Sequence, residues 1–513
     1  SSLFGPSRPG TSTRGRVARA RSRFATARQA SAAAELRGAL AGGGSMLSGQ
    51  GQLAARRLRA VLLGASRRNA SVLAAPAPPG AASPACGSRG ISASLLAGSG
   101  RRELPEVPQA IEALGWHTAN RIEEAKCLHP AFYTDEAYAV AERERIFGTQ
   151  WFAAAHVQEL SSPGDVKLVE FGETSIILTC DKTNKIHALY NTCRHRGARV
   201  CSSSQKKCKQ LVCPYHWWAY RLDGTLKATP PAHTPKERKE NLGLLPVPGV
   251  GVFAGVVFLN QAPNPPPLLD TLGDLPEKLS NYDLGDMGLH RAIDYDIKGN
   301  WKLIAENFVD FYHIDAVHPA LANFSRVEDH MSYQGRGQYV GLCTAPLTDC
   351  GGPGDSHLFN HFPRLRKAES SAGLFFQVFP NISLVIYPHS VFSLICFPGA
   401  VAGETKEQLT LLMAPNARKE EDTPDQYAQK CEDLWRFVRH VNEEDIGAIE
   451  NLQRGLVQAG RADVLGEFLP EFDWPVHRFQ NMVLSGLRGD QLNERNMPEY
   501  SSTFTLQMQA GTA

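Results

Sequence analysis

The chain lacks the features of a membrane-spanning protein, a disulfide scaffold or a nucleic-acid binder. No run of 18 apolar residues occurs, and the most apolar segment, 384–400, is interrupted by Pro388, His389 and Pro398, so no transmembrane helix is expected. Eleven cysteines in 513 residues are too sparse for a disulfide framework, and the odd number leaves at least one unpaired. A reducing, intracellular or organellar compartment is expected. The first hundred residues contain no Lys and a single acid, Glu35, against 14 Arg, a net of +13. The other 413 residues carry 40 basic and 51 acidic side chains, so the overall +2 is a basic leader cancelling an acidic body of −11. A body this short of positive charge is not built to grip nucleic acid or an anionic membrane.

With almost no acids and few aromatic residues, residues 1–100 cannot bury enough apolar area to offset their ordering entropy, and disorder is expected there. Arg-rich, Ser-rich and acid-poor is the composition of an organelle transit peptide. Residues 53–63, after the candidate start Met46, can form a short amphipathic helix with Arg on one side. The expected address is the chloroplast stroma or the mitochondrial matrix, which this composition does not separate.

From Glu103 the composition becomes globular. Residues 130–150 read as a helix starting at Thr134, with Ile146 and Phe147 on one face. Short strands are expected at 166–171, 175–179, 185–190, 210–213 and 250–259, making a small all-β unit. Gly249, Gly251 and Gly255 fall in the last of these with no helix behind them, so they are not a dinucleotide loop. After a Pro-rich linker at 261–267, a strand near 289–297 precedes a helix over 301–317 and a Gly/Pro-rich loop at 350–355. Strands at 374–379, 383–386, 391–397 and 408–413 follow, then a helix from Pro424 to about Leu456. The expected fold class is α+β. Its parts are the leader 1–100, a helical segment 101–150, an all-β domain 151–262, and a larger α+β domain 263–500 whose antiparallel sheet is flanked by helices.

Two constellations carry chemistry. The first is Cys193-Arg-His195, then 17 residues, then Cys213-Pro-Tyr-His216. Two thiolates and two imidazoles suit a tetrahedral zinc or a [2Fe–2S] cluster in which two Cys hold one iron and two His the other. Each loop here offers one Cys and one His, whereas zinc fingers segregate the pairs, so the mixed order favours the cluster. Cys201 and Cys208, inside the insert, are expected to be free or buried thiols. The second is Asp310-Phe-Tyr-His313-Ile-Asp-Ala-Val-His318-Pro319. Two His and one carboxylate are the ligand set of non-haem Fe(II). His313 and His318 stand about 140° apart on an ideal helix, so the helix must loosen or end between them, as Pro319 allows. Asp310, three residues before His313, is expected on the same helical face, where it would orient that imidazole. The carboxylate must come from elsewhere. Asp445 is the best candidate, although spacing does not choose among Glu443, Glu444, Asp445 and Glu450.

On these two motifs, in this order, the chain resembles the Rieske non-haem iron oxygenases, the α subunits of aromatic-ring hydroxylases and their relatives, over roughly 128–487. The resemblance implies a Rieske [2Fe–2S] cluster on Cys193, His195, Cys213 and His216, and a mononuclear Fe(II) on His313, His318 and Asp445. It implies that Asp310 couples the two sites between subunits of a homotrimer, and that a ferredoxin or reductase supplies electrons for O2 to hydroxylate a small molecule. Glu444-Asp445 followed by Gln453-Arg-Gly-Leu456 looks most like the branch that oxidises quaternary ammonium compounds, with choline monooxygenase its best-known member. Oxidation of choline to betaine aldehyde hydrate is therefore expected, with an aromatic-ring substrate or another quaternary ammonium compound as the alternative. Trp217-Trp218 departs from the family's usual Gly-Trp and should put a bulky ring beside the cluster.

For a trimethylammonium head, Phe311, Tyr312, Phe324, Tyr333, Phe376, Phe379, Tyr387, Phe392 and Phe397 are cage candidates. Arg194, Arg196, Arg199, Lys206, Lys207 and Lys209 would form a basic patch for an acidic electron donor.

Overall fold

The computed structural model describes residues 111–490, apart from 112, 116–117, 120, 231–239, 324, 326, 328–329, 345–354 and 368. The basic leader and the expected loop at 350–354 lie outside the described residues.

Two short helices, α1 (Ala131–Thr134) and α2 (Glu136–Arg145), come first. The expected start at Thr134 is displaced to Asp135, whose extended backbone separates the helices and whose side chain accepts the Ala137 N–H at 2.9 Å. Ile146 and Phe147 are fully buried just past the helix end.

Nine short strands follow: β1 (Phe152–His156), β2 (Val166–Phe171), β3 (Thr174–Cys180), β4 (Ile186–Tyr190), β5 (Leu211–Val212), β6 (Ala219–Tyr220), β7 (Leu226–Ala228), β8 (Gly249–Phe253) and β9 (Val256–Asn260). They form three antiparallel sheets, β2-β3-β4, β5-β6-β7 and β1-β9-β8. The run 250–259 is not one strand but a hairpin, because Ala254 and Gly255 both take positive φ (51° and 75°). That pair of left-handed residues matches the twist of the flanking strands. An all-apolar run gave no polar turn signal, which is why the sequence pattern missed it.

The larger unit contains β10 (Gly288–Ile297), α3 (Trp301–Val309), α4 (Ile314–Val317), β11 (His330–Gln334), β12 (Tyr339–Thr344), β13 (Leu374–Val378), β14 (Ile382–Ile386), β15 (Ser390–Pro398), β16 (Thr405–Met413), α5 (Pro424–Ala462) and α6 (Pro470–Arg488). Its seven strands make one antiparallel sheet in the order β10-β16-β15-β14-β13-β12-β11. The molecule is thus α+β, as its patterning predicts. Strands β11 and β12 and helix α6 have no counterpart among the expected elements. Helix α5 is 39 residues long, beginning at a Thr423–Gln426 capping box with Pro424 in its first turn. It continues past Leu456 to Ala462 and stops where Asp463 turns left-handed (φ 54°). Its buried stripe ends at Gln453, so the apolar periodicity fades before the helix does.

Two contacts fix the platform on which the second constellation sits. Lys302 of α3 and Glu142 of α2 form a fully buried ion pair at 2.5 Å, and Trp301 Nε1 donates to the same carboxylate at 2.8 Å. Removing one partner of such a pair would cost about 3–5 kcal/mol. Asn381 donates to the Ala153 carbonyl and accepts from its N–H, which ties β1 to the large sheet. A second, separate hydrophobic core gathers Val166, Ile177, Leu189, Leu211 and Tyr220 around Cys193 and Cys213.

Candidate metal centres

The two loops of the first constellation share one backbone design. Cys193 N donates to the Ala198 carbonyl and the Cys193 carbonyl accepts the Gly197 N–H, both at 2.9 Å. Cys213 N donates to the Trp218 carbonyl at 2.9 Å and its own carbonyl accepts the Trp217 N–H at 3.0 Å. Each loop therefore needs a left-handed residue four positions after its Cys. The first uses Gly197 (φ 77°), and the second puts Trp217 (φ 56°) in the position that favours glycine. Its indole is 70% exposed, so the ring expected beside the cluster motif turns into solvent instead. It is Trp218 that packs there, stacked on the His195 ring at 4.9 Å and 7°.

These loops bring the four expected donors together. The Nδ1 atoms of His195 and His216 face one another at 3.1 Å. Cys193 and Cys213 are buried below them, with the Tyr220 hydroxyl 3.1 Å from Cys193 Sγ. Burial raises the Cys193 thiol above its ordinary pKa, against the hydrogen bond from Tyr220. Desolvation, then His195 and Arg196, hold His216 below the ordinary imidazole range, which favours the neutral ring a metal needs. Cys201 and Cys208 are free thiols, each directed at a nearby carbonyl, of Ser203 and Gln210, at 3.0 Å. The basic patch is weaker than its sequence implies, because Arg199 pairs with Glu170 at 2.6 Å and Lys206 with Asp165 at 3.0 Å.

In the second constellation the helix breaks earlier than expected. Helix α3 stops at Val309, and Asp310 is extended (φ −95°, ψ 103°) with its carboxylate accepting the Tyr312 N–H at 2.7 Å. That local bond replaces a helical one and ends the element. His313 then caps the single turn of α4, and His318 closes it before Pro319. Asp310 and His313 consequently do not share a helix face. Their side chains stand 3.6 Å apart, an ion-pair distance beyond hydrogen bonding. The turn folds the two imidazoles together, Nε2 to Nε2 at 3.2 Å.

Helix α5 supplies the carboxylate. Asp445 Oδ1 lies 2.9 Å from His318 Nε2 and 3.3 Å from His313 Nε2, and the three donor atoms all fall within 4.8 Å of one another. The other acids point elsewhere: Glu443 to Tyr295 and Arg439, and Glu450 to the Lys298 N–H. Glu444 has a role that spacing did not reveal. Its Oε2 is 2.9 Å from His318 Nδ1. Burial lowers the His318 pKa, but Asp445 and then Glu444 outweigh it and raise it, so a proton at Nδ1 faces Glu444 and a second at Nε2 faces Asp445. A divalent cation would replace that Nε2 proton and meet three converged donor atoms, with Glu444 still fixing the ring through Nδ1, so the set fits a divalent metal. Burial lowers the His313 pKa, but Asp310 and Asp445 outweigh it and raise it to about 9, a position that a proton holds and a metal would take.

A cavity opens beside these donors, walled by Phe308 of α3, Phe311 just after it, Phe375 of β13, Tyr387, Phe392 of β15 and Phe437 of α5. Among the described lining residues there is no Lys or Arg. Of the expected cage residues, Phe311, Tyr387 and Phe392 line it. Phe376 and Phe379 are core, Tyr312 is 51% exposed, and Phe397 stacks on Phe171. Phe324 and the Tyr333 side chain lie outside the described residues. Phe308, Phe375 and Phe437 were not anticipated. Strand alternation puts Phe375 and Phe376 on opposite faces, and only the fold says which faces the cavity.

Comparison with known proteins agrees with this geometry. The Rieske [2Fe–2S] domain family matches residues 150–248, and the ring hydroxylating alpha subunit catalytic domain family matches 284–489. The carnitine monooxygenase oxygenase subunit of Acinetobacter pittii is 29% identical over 335 residues, covering 64% of this chain and 85% of that one. The glycine betaine monooxygenase oxygenase subunit of Pseudomonas aeruginosa is 30% identical over 222 residues, 42% of this chain and 52% of its own. The crystal structure of a quaternary ammonium Rieske monooxygenase superposes with a TM-score of 0.59 at 25% identity, covering 72% of this chain and 97% of that one. The two matched domains are those of a [2Fe–2S] cluster and of a mononuclear iron. Two donor sets on one scaffold, and both domain matches in the same order, lead to one conclusion: the chain belongs to the Rieske non-haem iron oxygenase α-subunit family.

Proposed function

We propose that this protein is a monooxygenase that hydroxylates a quaternary ammonium compound, with choline as its substrate. The observation that carries this reading is the cavity wall, six aromatic rings beside the metal donors with no Lys or Arg among the described lining. Aromatic faces attract a trimethylammonium head. The relatives named for carnitine and glycine betaine act on compounds that carry a carboxylate, which would call for a basic partner. Choline ends in a neutral hydroxyl and calls for none.

Cys193, His195, Cys213 and His216 would hold the cluster, and His313, His318 and Asp445 the iron. When bound, these groups supply single-electron transfer and O2 activation. Overall, choline, O2, two electrons and two protons give betaine aldehyde hydrate and water. The residues themselves position and insulate. Glu444 fixes the His318 tautomer, and the aromatic wall excludes water. Asp310, near His313 and part-exposed, is the group that would meet a cluster His of the next subunit in a homotrimer. A solved relative is described in terms of inter-subunit electron transfer, which supports this assignment.

The test is O2 uptake with a ferredoxin and its NADPH reductase, offering choline, carnitine, glycine betaine and benzoate in turn. Choline-dependent uptake with aldehyde hydrate formed is expected. Turnover of benzoate alone would overturn the reading.

A further inference from the structure

Behind the cavity wall lies a buried carboxyl that the reaction above does not use. Glu407 of β16 is 2% exposed and sits between its register partners, Tyr295 of β10 and Cys396 of β15. Its Oε1 accepts from Asn442 Nδ2 at 2.7 Å, and Cys396 Sγ stands 3.9 Å from Oε2. No Lys, Arg or His pairs with it among the described residues. Burial pushes this carboxyl up to about 7, against the hydrogen bond from Asn442. A carboxylate in such a place is costly to keep ionised unless a positive charge comes near.

Asn442 connects this group to the cavity. It lines the cavity from the same face of α5 as Val438 and Asp445. With its amide nitrogen spent on Glu407, its carbonyl oxygen is left to accept from the cavity side. A cation seated in the cavity would thus stand one amide away from a buried carboxyl that lacks a counter-ion.

We propose that Glu407 is a second charge-selecting group of this site besides the aromatic wall, a positioning residue that orients the Asn442 carboxamide and provides counter-charge for a cationic ligand head. The inference rests on the quaternary-ammonium reading and adds to it. The aromatic faces already favour the cation over its uncharged carbon isostere, although both shapes bury the same apolar surface. The carboxyl behind Asn442 adds a counter-charge that strengthens this preference.

The test uses the metal-loaded enzyme and two ligands of one shape, choline and its uncharged carbon isostere 3,3-dimethylbutan-1-ol, with Kd measured for each. Wild type should prefer choline. Glu407→Gln, which keeps the size and hydrogen-bonding capacity, should weaken choline about tenfold or more and leave the isostere unchanged. Asn442→Ala should show the same charge-selective loss, and the double variant should lose no more than either single one. Equal weakening of both ligands would mean a structural role and overturn the inference. A wild-type preference that both variants keep undiminished would overturn it while leaving the quaternary-ammonium reading intact. Equal wild-type binding of the two ligands would overturn both.

Discussion

The two metal centres solve the same problem, holding four or three soft and hard donors in register, in opposite ways. The cluster loops take all their donors from residues 193–216 and carry them on two matching turns over a small private core. Their thiols are buried, while His195 is exposed and His216 part-exposed, which suits a group that must pass electrons outward. The triad draws donors from 313, 318 and 445, set at the ends of a broken helix and on the face of another, beside an aromatic cavity. It suits a group that must receive a substrate and exclude water. An electron-transfer site is specified by a local motif, whereas a substrate site is specified by the meeting of distant elements.

That contrast can be broken by mutation, and the largest effects separate the centres outright. His313→Ala should abolish turnover while the visible spectrum of the cluster persists, and Cys213→Ser should bleach that spectrum. Loss of the spectrum in His313→Ala would show that the sites are not independent. Asp310→Asn should then leave both metals bound, by spectrum and iron analysis, yet slow product formation by about a hundredfold, because charge and bond direction at the crossing point are lost. Unchanged turnover would remove Asp310 from the electron path. Glu444→Ala should weaken iron binding about 10–100-fold through His318, without touching the cluster. A competitive chelator titration would measure it.

A smaller effect follows from pH. In the metal-free protein the His313 pKa is raised to about 9, with Asp310 and Asp445 outweighing burial. A group raised above its unfolded value stabilises the fold fully below about 6.5, and that stability is lost as pH climbs toward 9. The apoprotein should therefore lose about 3 kcal/mol across that window, read as a falling Tm. The iron-loaded form, with the proton replaced, should stay flat there. A flat apoprotein curve would show that His313 does not hold this proton. The smallest change is expected at Trp217. Replacing it by Gly relieves the left-handed strain and should stabilise the cluster unit by about 1 kcal/mol with the spectrum unchanged.

How legible the molecule was depended on how local each feature is. Strand β2 appears in the pattern with its observed ends, because alternation and flanking turns are short-range signals. Helix α5 was legible at its start, where Thr423, Pro424 and Gln426 announce a cap, and not at its end, where the buried stripe has already faded. The break before His313 was placed too late, because the Asp310 side chain competing for the Tyr312 N–H leaves no periodic trace. Strand β11 and helix α6 were missed, the first because it reads as polar, the second because Pro470 and Pro475 mark it as a loop. Glu443, Glu444 and Asp445 are consecutive acids that nothing in one dimension ranks. A rotation of about 100° per residue separates them once the helix is packed.

By itself, the order of residues determined the chemistry available: a Cys–His pair twice, a His pair, a run of acids at 443–445, and a first hundred residues opposite in charge to the rest. Only the tertiary structure decided which carboxylate meets the imidazoles, which phenylalanines face the cavity, and that Glu407 lies behind Asn442. The physical reason is that donor type and local turns are short-range properties of the chain, while convergence depends on how β10 through β16 and α5 pack against one another. Packing is settled by the whole buried surface at once, and no single segment contains it.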